Sequence, residues 1–204
     1  MGTGTSPRRR LMPDDRRREL REAGARLFAT RPYDAVLMED VAERAGVSRA
    51  NLYRYFPSKR DLFAAIYRDA AEGLLTATKV DPSAPMADQV LACLDAHIDY
   101  FVANRQTVLS ANRVLAGDPM IQAIISDELG ELRRRMLDAY DFGGLDRDVA
   151  SAALYAWLVF VRALCVEWLS HATFSRQALR DVCLGALLGA LNSATDNPRD
   201  DLPR

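Results

Sequence analysis

The chain has 204 residues and a formal net charge of −1; 49% of its residues are hydrophobic and 27% are charged. This balance is typical of a globular protein whose core forms without disulfides or metals. The most apolar window, residues 151–169, is interrupted by Arg162 and Glu167, which speaks against a membrane partner. The arginines near the N-terminus precede no apolar stretch, which speaks against a secretory signal and favours a cytoplasmic location.

Three cysteines, Cys93, Cys165 and Cys183, stand far apart among apolar neighbours. An odd, unclustered set fits a reducing compartment and lacks the spacing of a paired-cysteine metal site. We interpret the three as buried, inert thiols, with a redox sensor as the alternative. We expect no metal and no cofactor.

Charge is distributed unevenly along the chain. Residues 1–60 hold 14 lysines and arginines against 8 aspartates and glutamates, whereas residues 61–204 hold 13 against 20. The first segment therefore carries a net charge of +6 and the second a net charge of −7. Such an asymmetry indicates that the N-terminal end faces a polyanion.

The hydrophobic pattern predicts an all-α fold, because apolar residues recur at helical spacing and strand-like alternation bounded by turns is not seen. Residues 1–13, with the run Arg8-Arg9-Arg10, predict a disordered basic arm. Helices are predicted at 14–30, 38–45, 49–56, 59–79, 86–103, 105–115, 119–140, 146–171 and 175–194. They form an N-terminal domain at 14–58, a connecting helix at 59–79 and a C-terminal domain at 80–194, followed by a tail at 195–204.

Two short helices of the N-terminal domain are joined by a tight turn. In this turn Gly46 suits the C-terminus of the first helix, and Ser48 suits the N-cap of the second. Ala42 is small enough for the helices to cross closely, and Val47 and Leu52 fill the angle between them. The arrangement predicts a helix-turn-helix whose second helix lies in the major groove of DNA.

The second helix of this motif carries the candidate contacts to base edges. Arg49 is suited to guanine, Asn51 to adenine and Ala50 to a thymine methyl group. Tyrosine hydroxyls and Lys59 are suited to phosphate oxygens. The predicted DNA-binding residues are Ser48, Arg49, Ala50, Asn51, Tyr53, Arg54, Tyr55 and Lys59. The alternative is a solvated helix face from which the tyrosines pack inward.

The residues in and around this motif resemble the N-terminal signature of the tetracycline-repressor (TetR) family. The resemblance covers about residues 14–70 and is carried by Leu27-Phe28, Tyr33, Val41-Ala42, Ala45-Gly46-Val47-Ser48, Leu52-Tyr53, Tyr55-Phe56, Ser58-Lys59 and Leu62. It implies a three-helix helix-turn-helix DNA-binding domain joined to an all-helical ligand-binding and dimerisation domain. It also implies a repressor that leaves DNA when a small molecule binds.

The chain departs from the family pattern at several positions. Pro32 stands where glycine is frequent, and Val36 and Leu37 stand where threonine is frequent. The second helix therefore lacks a hydroxyl N-cap, which is worth about 1 kcal/mol. Gly24 replaces a usual alanine, at a cost of up to about 1 kcal/mol in helix propensity. Ala50-Asn51 replaces a frequent glycine-threonine pair, which leaves the operator sequence open.

The apolar pattern of the C-terminal domain predicts contacts beyond a single chain. The helix at 146–171 is apolar nearly all round, so one side is expected to meet its own bundle and the other a second copy. The resemblance implies dimerisation through the last two helices, with an interface that includes Gly185, Leu188 and Gly189. Ordinary packing within the chain is the alternative. Two-fold symmetry implies a roughly palindromic operator.

Several polar and aromatic residues lie in otherwise apolar helices of this domain. One interpretation is a ligand cavity in which an arginine anchors an anionic or carbonyl-bearing molecule. The favoured alternative for Arg162 is a salt bridge, for example with Glu167 or with an acidic residue of a second copy, because unpaired burial of a charge is costly. The candidate ligand-binding residues are His97, Phe101, Asn112, Arg113, Trp157 and Arg162.

The sequence shows none of the patterns that indicate catalysis. It has two histidines, His97 and His171, without metal-ligand spacing, and no glycine-rich phosphate loop. We therefore expect no enzyme but a homodimeric transcriptional regulator that binds a double-stranded DNA operator and responds to an unidentified small-molecule effector. The alternative is a regulator of the same fold that responds to thiol oxidation or to a protein partner.

Overall fold

The computed structural model describes residues 12–77, 85–140, 142 and 145–195. Within these ranges the secondary structure is helical and contains no strand, which confirms the predicted fold class. The run Arg8–Arg10, most of the predicted linker and the tail beyond residue 195 lie outside the described residues.

Nine α-helices occupy the described part of the chain, and all but one have bounds within two residues of those predicted. They are α1 Pro13–Phe28, α2 Met38–Arg44, α3 Arg49–Tyr55, α4 Lys59–Ala77, α5 Met86–Ala103, α6 Arg105–Leu109, α7 Pro119–Ala139, α8 Arg147–His171 and α9 Arg176–Thr195. The exception is α6, which was expected to reach residue 115. It gives way to a π-helical segment, Ser110–Val114, whose wider turn is closed by a bond from Leu115 N to Ser110 O.

The N-terminal domain has the predicted helix-turn-helix geometry. Gly46 has a positive φ of 64°, the left-handed conformation that glycine adopts most easily. The Oγ of Ser48 accepts a hydrogen bond from Asn51 N at 3.2 Å and so caps α3. In contrast, Leu37 precedes α2 and gives it no side-chain cap, as the departure from the family pattern predicted.

Gly24 lies where α1 and α4 approach each other closely. A Cβ atom at this position would come within 2.8 Å of Ile66 Cδ1 and 3.3 Å of Leu62 Cδ2. Both side chains are buried. The close packing of α1 on α4 accounts for a glycine here, at the expense of helix propensity.

The connecting helix α4 packs against both domains, on α1 at one side and on α7 and α5 at the other. At its start, Arg60 forms an ion pair with Asp118. Asp118 is also the N-cap of α7, where its Oδ1 accepts from Met120 N at 3.0 Å and from Ile121 N at 3.2 Å. One carboxylate therefore joins the start of α4, next to the N-terminal domain, to the C-terminal bundle.

The helix α8 lies at the centre of the C-terminal bundle, against α5, α6, α7 and α9. Among the described residues it alone is long and apolar enough, by length and composition, to cross a membrane, with a mean hydropathy of 1.9. Its inner side is packed into the core, and its buried residues include the ionised Arg162. These features are those of the core helix of a globular bundle.

Candidate functional site

The first turn of α3 presents polar and small side chains to solvent. Ser48, Arg49 and Ala50 are exposed, and Asn51 is half-buried. On the opposite side Leu52 is fully buried between α2 and α3. The packing thus turns the predicted base-contacting residues outward, as a recognition helix requires.

Both arginines of α3 are held by neighbours on the same surface. Arg49 Nη1 lies 2.7 Å from Glu39 Oε1, and its guanidinium lies over the ring of Tyr53. Arg54 Nη2 donates to Asn51 Oδ1 at 2.9 Å. Both contacts lie at the exposed surface, so DNA can displace them at little cost. The role of Glu39 as a partner of Arg49 was not predicted.

The start of α4 was predicted to contact phosphate through Lys59. Its Nζ atom donates to Tyr33 O at 3.0 Å and to Val36 O at 3.2 Å, and it lies 4.5 Å from the centre of the Tyr33 ring. Two of its three donors therefore hold the segment that leads into α2. Sequence reasoning missed this structural role, because the carbonyls belong to residues more than twenty positions away.

A narrow cavity lies in the C-terminal bundle between α4, α5, α7 and α8. The space within it that a water-sized molecule can occupy is about 70 Å³, and the whole gap, including the open mouth, is about 740 Å³. Most of the lining is aliphatic or aromatic, and the polar groups are few. The lining residues are Leu74, Gln89, Val90, Cys93, Leu94, His97, Leu129, Leu132, Arg135, Met136, Tyr140, Trp157, Leu158 and Val161.

Of the six predicted ligand-binding residues, the structure brings His97 and Trp157 together at this cavity. Phe101 is buried behind His97, with ring centres 4.0 Å apart. The Trp157 Nε1 atom donates to Cys183 O at 2.7 Å and so ties α8 to α9. Arg135 was missed because it ends a run of three consecutive arginines, for which the sequence alone indicates solvent.

The comparisons with known proteins agree with this geometry. Residues 20–66 match the model of the family described as bacterial regulatory proteins, tetR family. The N-terminal domain of this chain is therefore a TetR-family domain. Among its relatives, the HTH-type transcriptional activator FasR of Mycolicibacterium smegmatis is 30% identical over 99 residues, 48% of this chain and 45% of that protein. The HTH-type transcriptional regulator RutR of Escherichia coli K12 is 28% identical over 133 residues, 63% of this chain and 61% of that protein.

These alignments span about half to three fifths of the length of the curated relatives. Solved structures extend the likeness in fold to nearly the whole chain. A tetR-family transcriptional regulator from Streptomyces coelicolor superposes with a TM-score of 0.74 at 17% identity, covering 95% of this chain and 94% of that one. A transcriptional regulator from Rhodococcus sp. Rha1 gives a TM-score of 0.72 at 20% identity, covering 89% and 99%.

In the C-terminal bundle Arg162 is buried and ion-paired within the chain. Its Nη2 atom donates to Glu128 Oε2 at 2.6 Å, and its Nη1 atom donates to the Tyr67 hydroxyl at 2.9 Å. A salt bridge was expected, but the partner is Glu128 of α7 rather than Glu167, because Arg162 points from α8 into the bundle. Burial raises the pKa of Glu128 above its usual value although the guanidinium is adjacent.

The remaining two candidates lie outside the cavity. Arg113 is exposed and pairs with Glu167 at 3.0 Å on the surface. Asn112 donates to Val108 O at 2.8 Å and also bonds to the Tyr67 hydroxyl. Asn112 thus joins Arg162 in the polar cluster around Tyr67, and that cluster connects α4 with α7 and α8.

The outer faces of α8 and α9 are apolar and exposed. On α8 the exposed residues include Val159 and Phe160, and on α9 they include Val182. Gly185 and Gly189 are exposed on the same stripe of α9, and a Cβ atom at either would meet nothing within 4 Å. The predicted interface residue Leu188 is half-buried beside this stripe.

Of the three thiols predicted to be buried, Cys165 and Cys183 are buried, whereas Cys93 is half-buried. Burial raises the pKa of Cys165 to about 12 and that of Cys183 to about 11. Burial also raises the pKa of Cys93, which lines the cavity. Because the thiolate is the reactive form, these environments suppress oxidation chemistry at neutral pH.

Proposed function

We propose that this TetR-family protein is a homodimeric transcriptional repressor that binds a palindromic operator and leaves it when a small molecule binds. The observation that carries this proposal is the exposed first turn of α3, with Arg49, Ala50 and Asn51 facing outward from a helix-turn-helix. The net charge of +6 on residues 1–60 supports a polyanionic partner.

The residues of α3 divide into two roles in this proposal. Arg49 and Asn51 read base edges in the major groove, and Ala50 contacts a thymine methyl group. Ser48, Tyr53, Arg54, Tyr55 and the free donor of Lys59 contact the phosphate backbone, which orients the domain without specifying sequence.

The exposed apolar stripes on α8 and α9 support the homodimer. Apolar patches of this kind on a protein surface mark interaction sites. A second copy that packs its own α8 and α9 against them forms a four-helix bundle, with Gly185 and Gly189 permitting close approach. The dimer then places two recognition helices on successive half-sites roughly 34 Å apart.

The cavity in the C-terminal bundle is the proposed effector site. Its lining includes Leu74 of α4, the helix that also packs on the DNA-binding domain. A ligand that favours a different position of α4 therefore shifts the dimer away from the spacing that fits DNA. The raised pKa values of the thiols make oxidation a less favoured trigger.

Selection of operators from random DNA with the purified protein tests this function. We expect a palindromic consensus, and Arg49→Ala or Asn51→Ala should lower affinity for it about 10- to 100-fold. Arg147→Ala is the matched control, because the side chains of Arg147 and Arg49 are similarly exposed, at 69% and 65%. Sequence-blind binding that depends only on salt concentration would refute the assigned role of α3.

The oligomeric state is tested by a pair of valine substitutions. Val182 on α9 and Val102 on α5 are both 50% exposed, so the same change costs each side chain similar solvation. Val182→Glu should convert the dimer to a monomer in sedimentation velocity, whereas Val102→Glu should leave a dimer. Equal behaviour of the two variants would place the interface elsewhere.

The direction of regulation is tested by transcription from a promoter that carries the selected operator. We expect the protein to lower transcript levels in vitro. The M. smegmatis relative FasR is named an activator, and a rise in transcript would assign that direction to this protein as well.

A further inference from the structure

The residues that line the proposed effector cavity determine which chemical groups a ligand needs in order to bind there. Among its fourteen residues, the long side chains of α5, α7 and α8 are almost all apolar. Such a cavity binds molecules whose surface is mainly hydrocarbon, and its few polar groups fix their orientation.

One of those polar groups lacks a protein partner. The Nε2 atom of His97 is buried, and among the described residues it has no hydrogen-bond partner. A buried polar atom without a partner destabilises a fold, so such an atom facing a cavity calls for an explanation. His97 stacks on Phe101 with ring centres 4.0 Å apart, which holds the imidazole in place at the cavity wall.

The imidazole of His97 is neutral at physiological pH. Burial, and secondarily the nearby Arg162, lowers its pKa from 6.5 to about 3. A neutral imidazole has one donor and one acceptor nitrogen, so it can bond to a hydroxyl, a carbonyl or an amide. It offers no positive charge to an anion.

The lining also contains one charged side chain, Arg135, and its guanidinium is bonded to groups of the protein. Arg135 Nε donates to Glu131 Oε1 at 2.8 Å, and Arg135 Nη1 donates to Leu75 O. The bonds from Arg134 and Arg135 lower the pKa of Glu131 to about 2, which keeps this carboxylate ionised. Among the described residues, the lining therefore carries no surplus charge with which to offset the desolvation of a charged ligand.

We propose that the cavity takes an uncharged, mainly apolar molecule with one hydrogen-bonding group, a hydroxyl, carbonyl or amide, that bonds to His97. This inference rests on the proposed function, because it names the chemical class of the effector. It differs from the expectation of an anionic or carbonyl-bearing ligand anchored by Arg162 in that the anchor is His97 and the ligand is uncharged, since Arg162 is ion-paired with Glu128 outside the cavity lining.

Three probes with the same ten-carbon chain test the charge of the ligand. They are 1-decanol, decanoate and decylammonium, used at pH 7.4 below their aggregation limits. Binding is followed by the fluorescence of the full chain, because Trp157 lines the cavity. We expect 1-decanol to bind at least tenfold more tightly than either ion. Equal or tighter binding of an ion would overturn the ligand class, and so would failure of 1-decanol to bind.

His97→Leu tests the contact itself. We expect it to weaken 1-decanol binding at least fivefold and to raise the Tm of the unliganded protein, because the unpartnered nitrogen is removed. A purely structural histidine would lower the Tm. His171→Leu, at the exposed second histidine, should change neither quantity. Unchanged decanol affinity in a folded His97→Leu variant would remove His97 from the site.

Operator binding without any probe separates this inference from the proposed function. A protein that binds its operator but ignores 1-decanol retains the regulatory function and refutes the ligand class. A protein that binds 1-decanol through His97 but no operator supports the ligand class and refutes the regulatory function.

Discussion

The candidate sites in the two domains of the chain are built in different ways. In the N-terminal domain, the candidate DNA contacts lie on one short helix and its flanks, between Ser48 and Lys59. In the C-terminal domain, the cavity draws on four helices, from Leu74 of α4 to Val161 of α8. Local rules of capping and turn formation build the first site, whereas packing between distant segments builds the second.

The ion pairs of the two regions differ as well. Arg49 and Glu39 meet on an exposed surface, where water screens the interaction. Arg162 and Glu128 meet in the core, where each depends on the other to offset its lost hydration. The first pair can be exchanged for DNA, but the second is part of the fold. Substitutions in each region should therefore differ in effect.

Removing one member of the buried pair is the most damaging change. Glu128→Ala should lower the free energy of unfolding by about 3–5 kcal/mol, because it leaves the Arg162 guanidinium buried without its counter-ion. Urea denaturation followed by circular dichroism measures it. The surface pair of Arg113 and Glu167 is the control, and Glu167→Ala should cost less than about 1 kcal/mol. If both variants lost the same free energy of unfolding, the buried ion pair would contribute no more to stability than the surface pair, which would contradict this prediction.

The stability of the C-terminal domain should depend on pH through His97. Its pKa is about 3 in the folded protein and 6.5 without burial, so between these values only the unfolded chain gains the proton. The free energy of unfolding should therefore fall as pH falls below 6.5, by about 1.4 kcal/mol per pH unit from this group. Denaturation at pH 7, 6 and 5 measures the slope. His97→Leu should reduce it, and His171→Leu should not; equal slopes in both variants would exclude His97 as the source.

The helix caps of the two domains should differ in their effect on DNA binding. Ser48→Ala removes the N-cap of α3, a helix of 7 residues, and should cost about 1 kcal/mol and weaken operator binding. Asp146→Ala removes the N-cap of α8, a helix of 25 residues held by packing, and should leave operator affinity unchanged. Fluorescence anisotropy with labelled operator measures both. Unaltered affinity in Ser48→Ala would show that α3 is held without its cap.

The smallest effect is expected at the partner of Arg49. Glu39→Gln removes an exposed carboxylate that holds the guanidinium at 2.7 Å, and it also removes a negative charge from the DNA-facing surface. Operator affinity should rise about two- to fivefold, with stability nearly unchanged. A loss of affinity would instead indicate that Glu39 positions Arg49 for its base.

The sequence by itself determined the all-α fold, the bounds of every helix except α6 and the helix-turn-helix, because these depend on periodicity, caps and turns within a few residues. The turn at Gly46 and the cap at Ser48 are examples. It also indicated that Arg162 needs a partner, although it named the wrong one.

Only the tertiary structure decided which distant residues meet. It paired Arg162 with Glu128 and directed the Lys59 ammonium group toward two backbone carbonyls. It also placed Arg135 and His97 in the lining of one cavity. The physical reason is that a helical pattern specifies which face is buried but not which neighbour covers it. That choice follows from how long helices cross, and it sets the partner of every buried polar group.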